Sequence, residues 1–151
     1  MRLFMMSFAL CAGAAAPFFS LPCLAAAESG TVTVVLNGVE PERGGHLGCA
    51  LYSSEKGFPS ETKNAVANVS AVGKGNKRTC TFTVNAEGNY AVAVLHDEDG
   101  DRKLDTNLFG VPKEGWATSN NVTHTFRAPN WDESKFVVKN PKTTVSLSMH
   151  Y

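Results

Sequence analysis

Apolar residues at alternate positions recur through most of this chain, and no window of helical length carries a sustained apolar face. That period demands pleated strands with one side turned to a core. Residues 31–39 place Val32, Val34 and Leu36 on one side, and residues 45–53 place Leu47, Cys49 and Leu51 together. Residues 78–84 do the same with Cys80, Phe82 and Val84, while 67–72 is a weaker strand closed by Gly73, Gly75 and Asn76. The run YAVAVLH, residues 90–96, is apolar on both faces and suits a central strand covered on each side. Residues 122–127, 134–139 and 143–151 complete the set, the last turning Val145, Leu147, Met149 and Tyr151 inward. Residues 58–64 (FPSETKN) read as a polar loop with a short helical turn after Pro59. Short strands with turn-formers between most of them predict an all-β chain. The expected architecture is a single β-sandwich of about seven to eight mostly antiparallel strands, immunoglobulin-like among the topologies that the pattern leaves open.

The first residues follow a different logic. One basic residue, Arg2, precedes an apolar stretch broken by Pro17 and Pro22, and Ala25-Ala26-Ala27 then offers small residues before Glu28. This is the three-part pattern of a secretory signal peptide over residues 1–27, which leaves residues 28–151 as one domain exported to the periplasm or the extracellular space. The prolines interrupt the run too early for a membrane span, so no transmembrane segment is expected after cleavage. Cleavage removes Arg2 and no acidic residue, so the balanced 14 basic and 14 acidic side chains become a mature charge of about −1. That balance gives no sign of a nucleic-acid or anionic-membrane partner. Cys11 and Cys23 leave with the signal. Cys49 and Cys80 remain, each on the apolar side of its own strand, which in an exported chain predicts one disulfide through the core.

The candidate site is the stretch HDEDGDRKLDTNLFGVPKEGWATSNN, from His96 to Asn121. It packs Asp97, Asp99, Asp101 and Asp105 into nine residues directly after the central strand and continues without regular periodicity. In an extended strand alternate carboxylates stand about 6.6 Å apart, too far to share a small ion. They converge only where the chain coils, and Gly100 favours that. A DxDxD coil with a further carboxylate four residues on is how oxygen-rich loops surround calcium. Asp97, Asp99 and Asp101 are the expected ligands, Lys103 offers its backbone carbonyl, and Asp105 binds directly or through water. Glu114 or Asn107 completes the shell, and Leu104 points into the core as an anchor. The helix-loop-helix pattern is not met: counted from Asp97, its Gly and Glu positions hold Arg102 and Leu108. Five carboxylates between residues 97 and 105 face only Arg102 and Lys103, and a divalent cation relieves that crowding.

Catalytic chemistry has less behind it. His46, His124 and His150 share no ligand spacing with His96, and no acyl-transfer pattern surrounds Ser119, so no enzyme is expected. Trp116 and Trp131 sit in turns, where a cap over the sandwich end is favoured over a sugar- or peptide-binding face.

The run from Gly88 to Asn121, with Pro129 to Phe136 (PNWDESKF), resembles the bacterial exported family called domain of unknown function 2141. The resemblance implies an exported β-sandwich similar to transthyretin-like domains, with no established activity. It carries the acidic positions onto Asp97, Asp99, Asp101 and Asp105, and a Pro-x-Glu-Gly-aromatic and Ser-Asn-Asn signature onto Pro112, Glu114, Gly115, Trp116, Ser119, Asn120 and Asn121. Arg102 and Ala117 depart from it, where a small residue and glycine are usual. The sequence thus points to a non-enzymatic, exported, calcium-ordered domain whose long loop, with His96, Pro112, Glu114, Trp116 and Ser119 to Asn121, forms a binding surface for a protein, glycan or small molecule. A small-ligand carrier is the alternative, and a metal-dependent enzyme using His96 and the acidic cluster is the third reading.

Overall fold

The computed structural model describes residues 29–139 and 141–151; the expected signal peptide lies outside them. Two sheets face one another. The first has the order β4-β5-β1-β9, from β1 (Gly30–Asn37), β4 (Val72–Lys74), β5 (Lys77–Val84) and β9 (Lys142–Ser148). The second runs β3-β2-β6-β7, from β2 (His46–Tyr52), β3 (Ala67–Ser70), β6 (Gly88–Asp97) and β7 (Gly115–Thr118), with β8 (Phe136–Val138) also on β6. All pairings are antiparallel except β1 with β9. The all-β sandwich is as expected, with nine strands among the described residues.

The alternation becomes the core directly. Val32, Val34 and Leu36 of β1 meet Cys80, Phe82 and Val84 of β5 on one side, and Cys49, Leu51, Val92 and Val94 close from the other sheet. Cys49 and Cys80 are buried and bonded to each other, with 6.5 Å between their Cα atoms. The bridge therefore joins the two sheets through the core. Strand β6 is the central strand, paired with β2 along one edge and with β7 and β8 along the other. Its outer-facing Ala91 is buried as fully as its inward Val92. Tyr52, on the outer face of β2, packs edge-on against Phe58 at 5.3 Å, and Phe58 against Trp131 at 6.1 Å. Trp131 thus serves as a cover. It opens a one-turn helix, α1 (Trp131–Ser134), whose Asn130 and Glu133 form a reciprocal capping box.

Four local expectations are corrected. Residues 67–72 are two strands rather than one: β3 and β4 lie in different sheets, and the chain crosses over at Ala71. Alternation carries no information about which sheet a residue joins. Residues 122–127 contain no strand, and Phe126 is exposed there. Residues 134–139 begin as the end of α1, because the Asn130 cap starts a helical turn that Lys135 ends in extended geometry. Residues 115–118 form a strand, β7, which needs no visible period because it completes the edge of β6 over four residues.

The disulfide spans 31 residues of sequence. Replacing both cysteines by alanine is expected to lower stability by roughly 3–4 kcal/mol, read from urea unfolding, because the unfolded chain regains the entropy of the open loop. A change below about 1 kcal/mol contradicts that account.

Candidate cation-binding loop

Strand β6 ends at Asp97, in register with His46, and the chain must turn there because β2 begins opposite. Four side chain to backbone bonds shape the turn. Asp97 accepts the Gly100 N–H on Oδ1 (2.9 Å) and the Arg102 N–H on Oδ2 (3.1 Å). Asp99 Oδ1 accepts from Asp101 N–H at 3.1 Å, and Asp101 Oδ1 from Lys103 N–H at 2.7 Å. The alternate aspartates therefore coil the chain as their spacing suggested. Gly100 and Arg102 both take positive φ, 87° and 64°. Arg102 stands where the backbone is left-handed, which costs a non-glycine residue about 1 kcal/mol.

Glu114 closes the loop. Its Oε1 accepts the Glu98 N–H at 2.8 Å and its Oε2 the Asp105 N–H at 3.0 Å, so one carboxylate ties the start, the middle and the end of residues 98–114. Asp97 and Glu114 are 7% and 5% exposed. One carboxylate oxygen each from Asp97, Asp99 and Glu114 lie within 4.8 Å of one another. Asp101 and Asp105 are exposed and stand outside this group, and Lys103 is exposed beside them. The structure thus gathers two of the expected aspartates with Glu114, one of the two residues expected to complete the shell. Leu104 is 40% exposed, so the expected anchor does not exist. The hydrogen bond from the N–H of its neighbour Asp105 to Glu114 holds that segment instead.

The buried His96 is fully occupied. Its Nε2 faces the Gly44 carbonyl at 2.7 Å, an atom that only accepts, so Nε2 carries the proton in the neutral ring. Nδ1 then accepts from the Tyr151 hydroxyl at 2.8 Å, and that oxygen accepts the Glu40 N–H at 3.0 Å. Burial raises the Tyr151 pKa, which favours its role as donor. Arg43 lies 4.6 Å above the Tyr151 ring, pairs with Glu40 and Glu98 at 2.6 and 3.0 Å, and donates to the Lys113 carbonyl. Arg43, Gly44, Gly45 and Tyr151 are the supports that sequence reasoning missed. The adjacent glycines were the available signal.

The Ser-Asn-Asn segment is a clip. Ser119 Oγ is wholly buried, accepts the Val92 N–H at 2.9 Å and donates to the Ser134 carbonyl at 2.6 Å, so it shares no bond with His96. Asn120, at φ 64°, donates to the Glu133 and Lys135 carbonyls around the end of α1. Asn121 accepts the Ser148 N–H on the open edge of β9 at 2.8 Å. Glu133 on the same helix is held well below the usual carboxylate range, first by Arg127, then by the Asn130 N–H and by His124. Trp116 lies over the His150 ring at 5.3 Å, its backbone bridging His150, while Pro112 bridges Thr106. Of the expected surface, His96, Glu114 and Ser119 are buried, whereas Asn120 and Asn121 are exposed.

A model of the family described as "Uncharacterized protein conserved in bacteria (DUF2141)" matches residues 32–146. The chain belongs to that family. In this DUF2141 protein the match begins within β1 and ends within β9, so it takes in the whole loop and its supports. No curated protein and no solved structure matches the chain significantly.

Gly45 tests the loop's foundation. At φ 69°, a Cβ there would overlap the Asp97 carbonyl, whereas at Gly44, φ 73°, it would meet open space. Gly45→Ala is expected to cost about 2–4 kcal/mol in urea unfolding and Gly44→Ala about 1 kcal/mol, the difference being the clash. Equal costs would show that the Gly45 and Asp97 backbones do not pack as described.

Proposed function

We propose that this protein is an exported, non-enzymatic β-sandwich domain whose acidic loop is ordered by calcium and serves as a binding surface. One observation carries the reading. Asp97 and Glu114 are each more than nine-tenths buried, converge with Asp99, and have no ion-pair partner among the described residues. Buried carboxylates answered only by backbone N–H groups favour a cation. The donors are all oxygen, three carboxylates on a coiled loop that can add backbone carbonyls and water, which suits calcium over zinc and the flexible geometry of calcium over magnesium. Asp97, Asp99 and Glu114 would hold the ion, with Asp101, Lys103 and Asp105 in the outer part of the loop. Cation binding would lock residues 98–114 and so fix the shape of the surface they present.

A carrier role would call for an enclosed apolar cavity. Two hollows, of about 240 Å³ beside His46 and His96 and about 310 Å³ beside Phe58 and Trp131, are both open to solvent.

With a dissociation constant of about 0.1 mM, 1 mM calcium added after chelation contributes roughly 1.4 kcal/mol and raises Tm by about 5 °C in scanning calorimetry. Glu114→Gln and Asp97→Asn are expected to abolish the shift, while Asp101→Asn and Asp105→Asn retain most of it. No shift in the wild type would remove the calcium reading.

A further inference from the structure

Strand β5 turns Arg78, Cys80, Phe82 and Val84 to the same side. Three of them belong to the core, and the fourth is an arginine, in register with the wholly buried Leu36 of β1. A charged side chain in a core-facing row is costly unless something answers it. Arg78 is partly buried and has no carboxylate partner among the described residues. One guanidinium nitrogen donates to the Gly75 carbonyl of its own turn, which uses one of five N–H donors. Arg78 also lines the hollow of about 240 Å³ at this end of the sandwich. Because β5 lies in the first sheet while His46, Ser70 and His96 come from the second, the hollow opens between the two. Among the described residues no carboxylate lines it. His96 is committed to Gly44 and Tyr151, so the groups left for a ligand are the Arg78 guanidinium, the His46 imidazole and the Ser70 hydroxyl.

We propose that this hollow binds a small phosphate-bearing ligand, with Arg78 as its anchor. The planar fork of a guanidinium matches two oxygens of an oxyanion at once. Donors reaching the hollow from three different strands suit a phosphate, which offers at least three strong acceptor oxygens, over a carboxylate, which offers two in one plane. Size agrees, since about 240 Å³ falls just under the ~300 Å³ at which pockets for drug-sized molecules begin. Charge agrees as well. Residues 71–84 carry Lys74, Lys77 and Arg78 and no carboxylate, and none of the three is in an ion pair among the described residues. Glu40 and Glu98, beside the turn that lines the hollow, are both paired with Arg43. The near-neutral total of the chain conceals this local excess of positive charge. Asp97, Asp99 and Glu114 do not line the hollow, so the inference does not rest on the ion reading given above.

The test is titration calorimetry of the calcium-free mature protein with inorganic phosphate, and with acetate as the carboxylate probe. Phosphate is expected to bind with a dissociation constant of about 1 mM and acetate roughly tenfold more weakly. Arg78→Gln should weaken phosphate binding about tenfold or more, and Arg78→Lys, which keeps the charge and loses the fork, by a smaller factor. Lys139→Gln, which removes an exposed cation outside the hollow, should leave binding unchanged. Backbone amide shifts of the wild-type protein locate the site whether or not the Arg78 variants fold: residues 44–47, 70, 71 and 78 are expected to move together as phosphate is added. No phosphate heat up to about 10 mM, acetate binding as tightly as phosphate, or amide shifts centred elsewhere overturns the inference. A loss in Lys139→Gln as large as in Arg78→Gln also overturns it, since the effect would then be one of net charge.

Discussion

Strand β6 is hydrogen-bonded along both edges, to β2 on one side and to β7 and β8 on the other. That double pairing leaves its last residue, Asp97, with a fixed position and direction, and Gly45 packs against the Asp97 carbonyl. The loop that follows therefore starts from a rigid point. It also ends at one, because Glu114 precedes Gly115 at the start of β7, paired back onto His96. Two carboxylates are thereby delivered to the same place from the two strands of one hairpin. Their convergence follows from strand register rather than from any property of the loop sequence.

The same geometry explains why the two groups are hard to leave alone. Asp97 and Glu114 lose most of their contact with water, and backbone donors answer only part of what that loss costs. The sandwich supplies the rigidity to hold them. Its sheets are joined by the Cys49–Cys80 bridge, by the Asn121 clip onto β9 and by the Trp116–His150 bridge. The Tyr151, His96 and Arg43 network then braces the loop from beneath, at the end where the final residues cross from one sheet to the other.

The sandwich was legible because period two is written into each long strand: β1, β5 and β9 bury the residues that alternation selects. Short elements were not. Four residues of β7 cannot display a period, and the crossing between β3 and β4 depends on partners far away in sequence. In the site, the DxDxD spacing announced the coil, and Asp97 and Asp99 fall where expected. Glu114 was legible only as one of two residues that complete the shell, with Asn107, because it is the closure of the loop by β7 that brings residue 114 back to residue 97. Ser119, Asn120 and Asn121 looked like surface because they are polar. Ser119 is buried while Asn120 and Asn121 are exposed, and backbone groups left over at α1, β6 and β9 use the polar atoms of all three.

The central claim is that residues 97–114 enclose a cation held by Asp97, Asp99 and Glu114. A crystal structure of the mature domain grown in calcium, with anomalous scattering recorded, tests it most directly. The account predicts a single strong anomalous peak in the loop with carboxylate oxygens of these three residues at about 2.3–2.6 Å, completed by carbonyls or water. A well-ordered loop without a peak, or a peak coordinated by Asp101 and Asp105 with Glu114 bonded only to backbone, would contradict it.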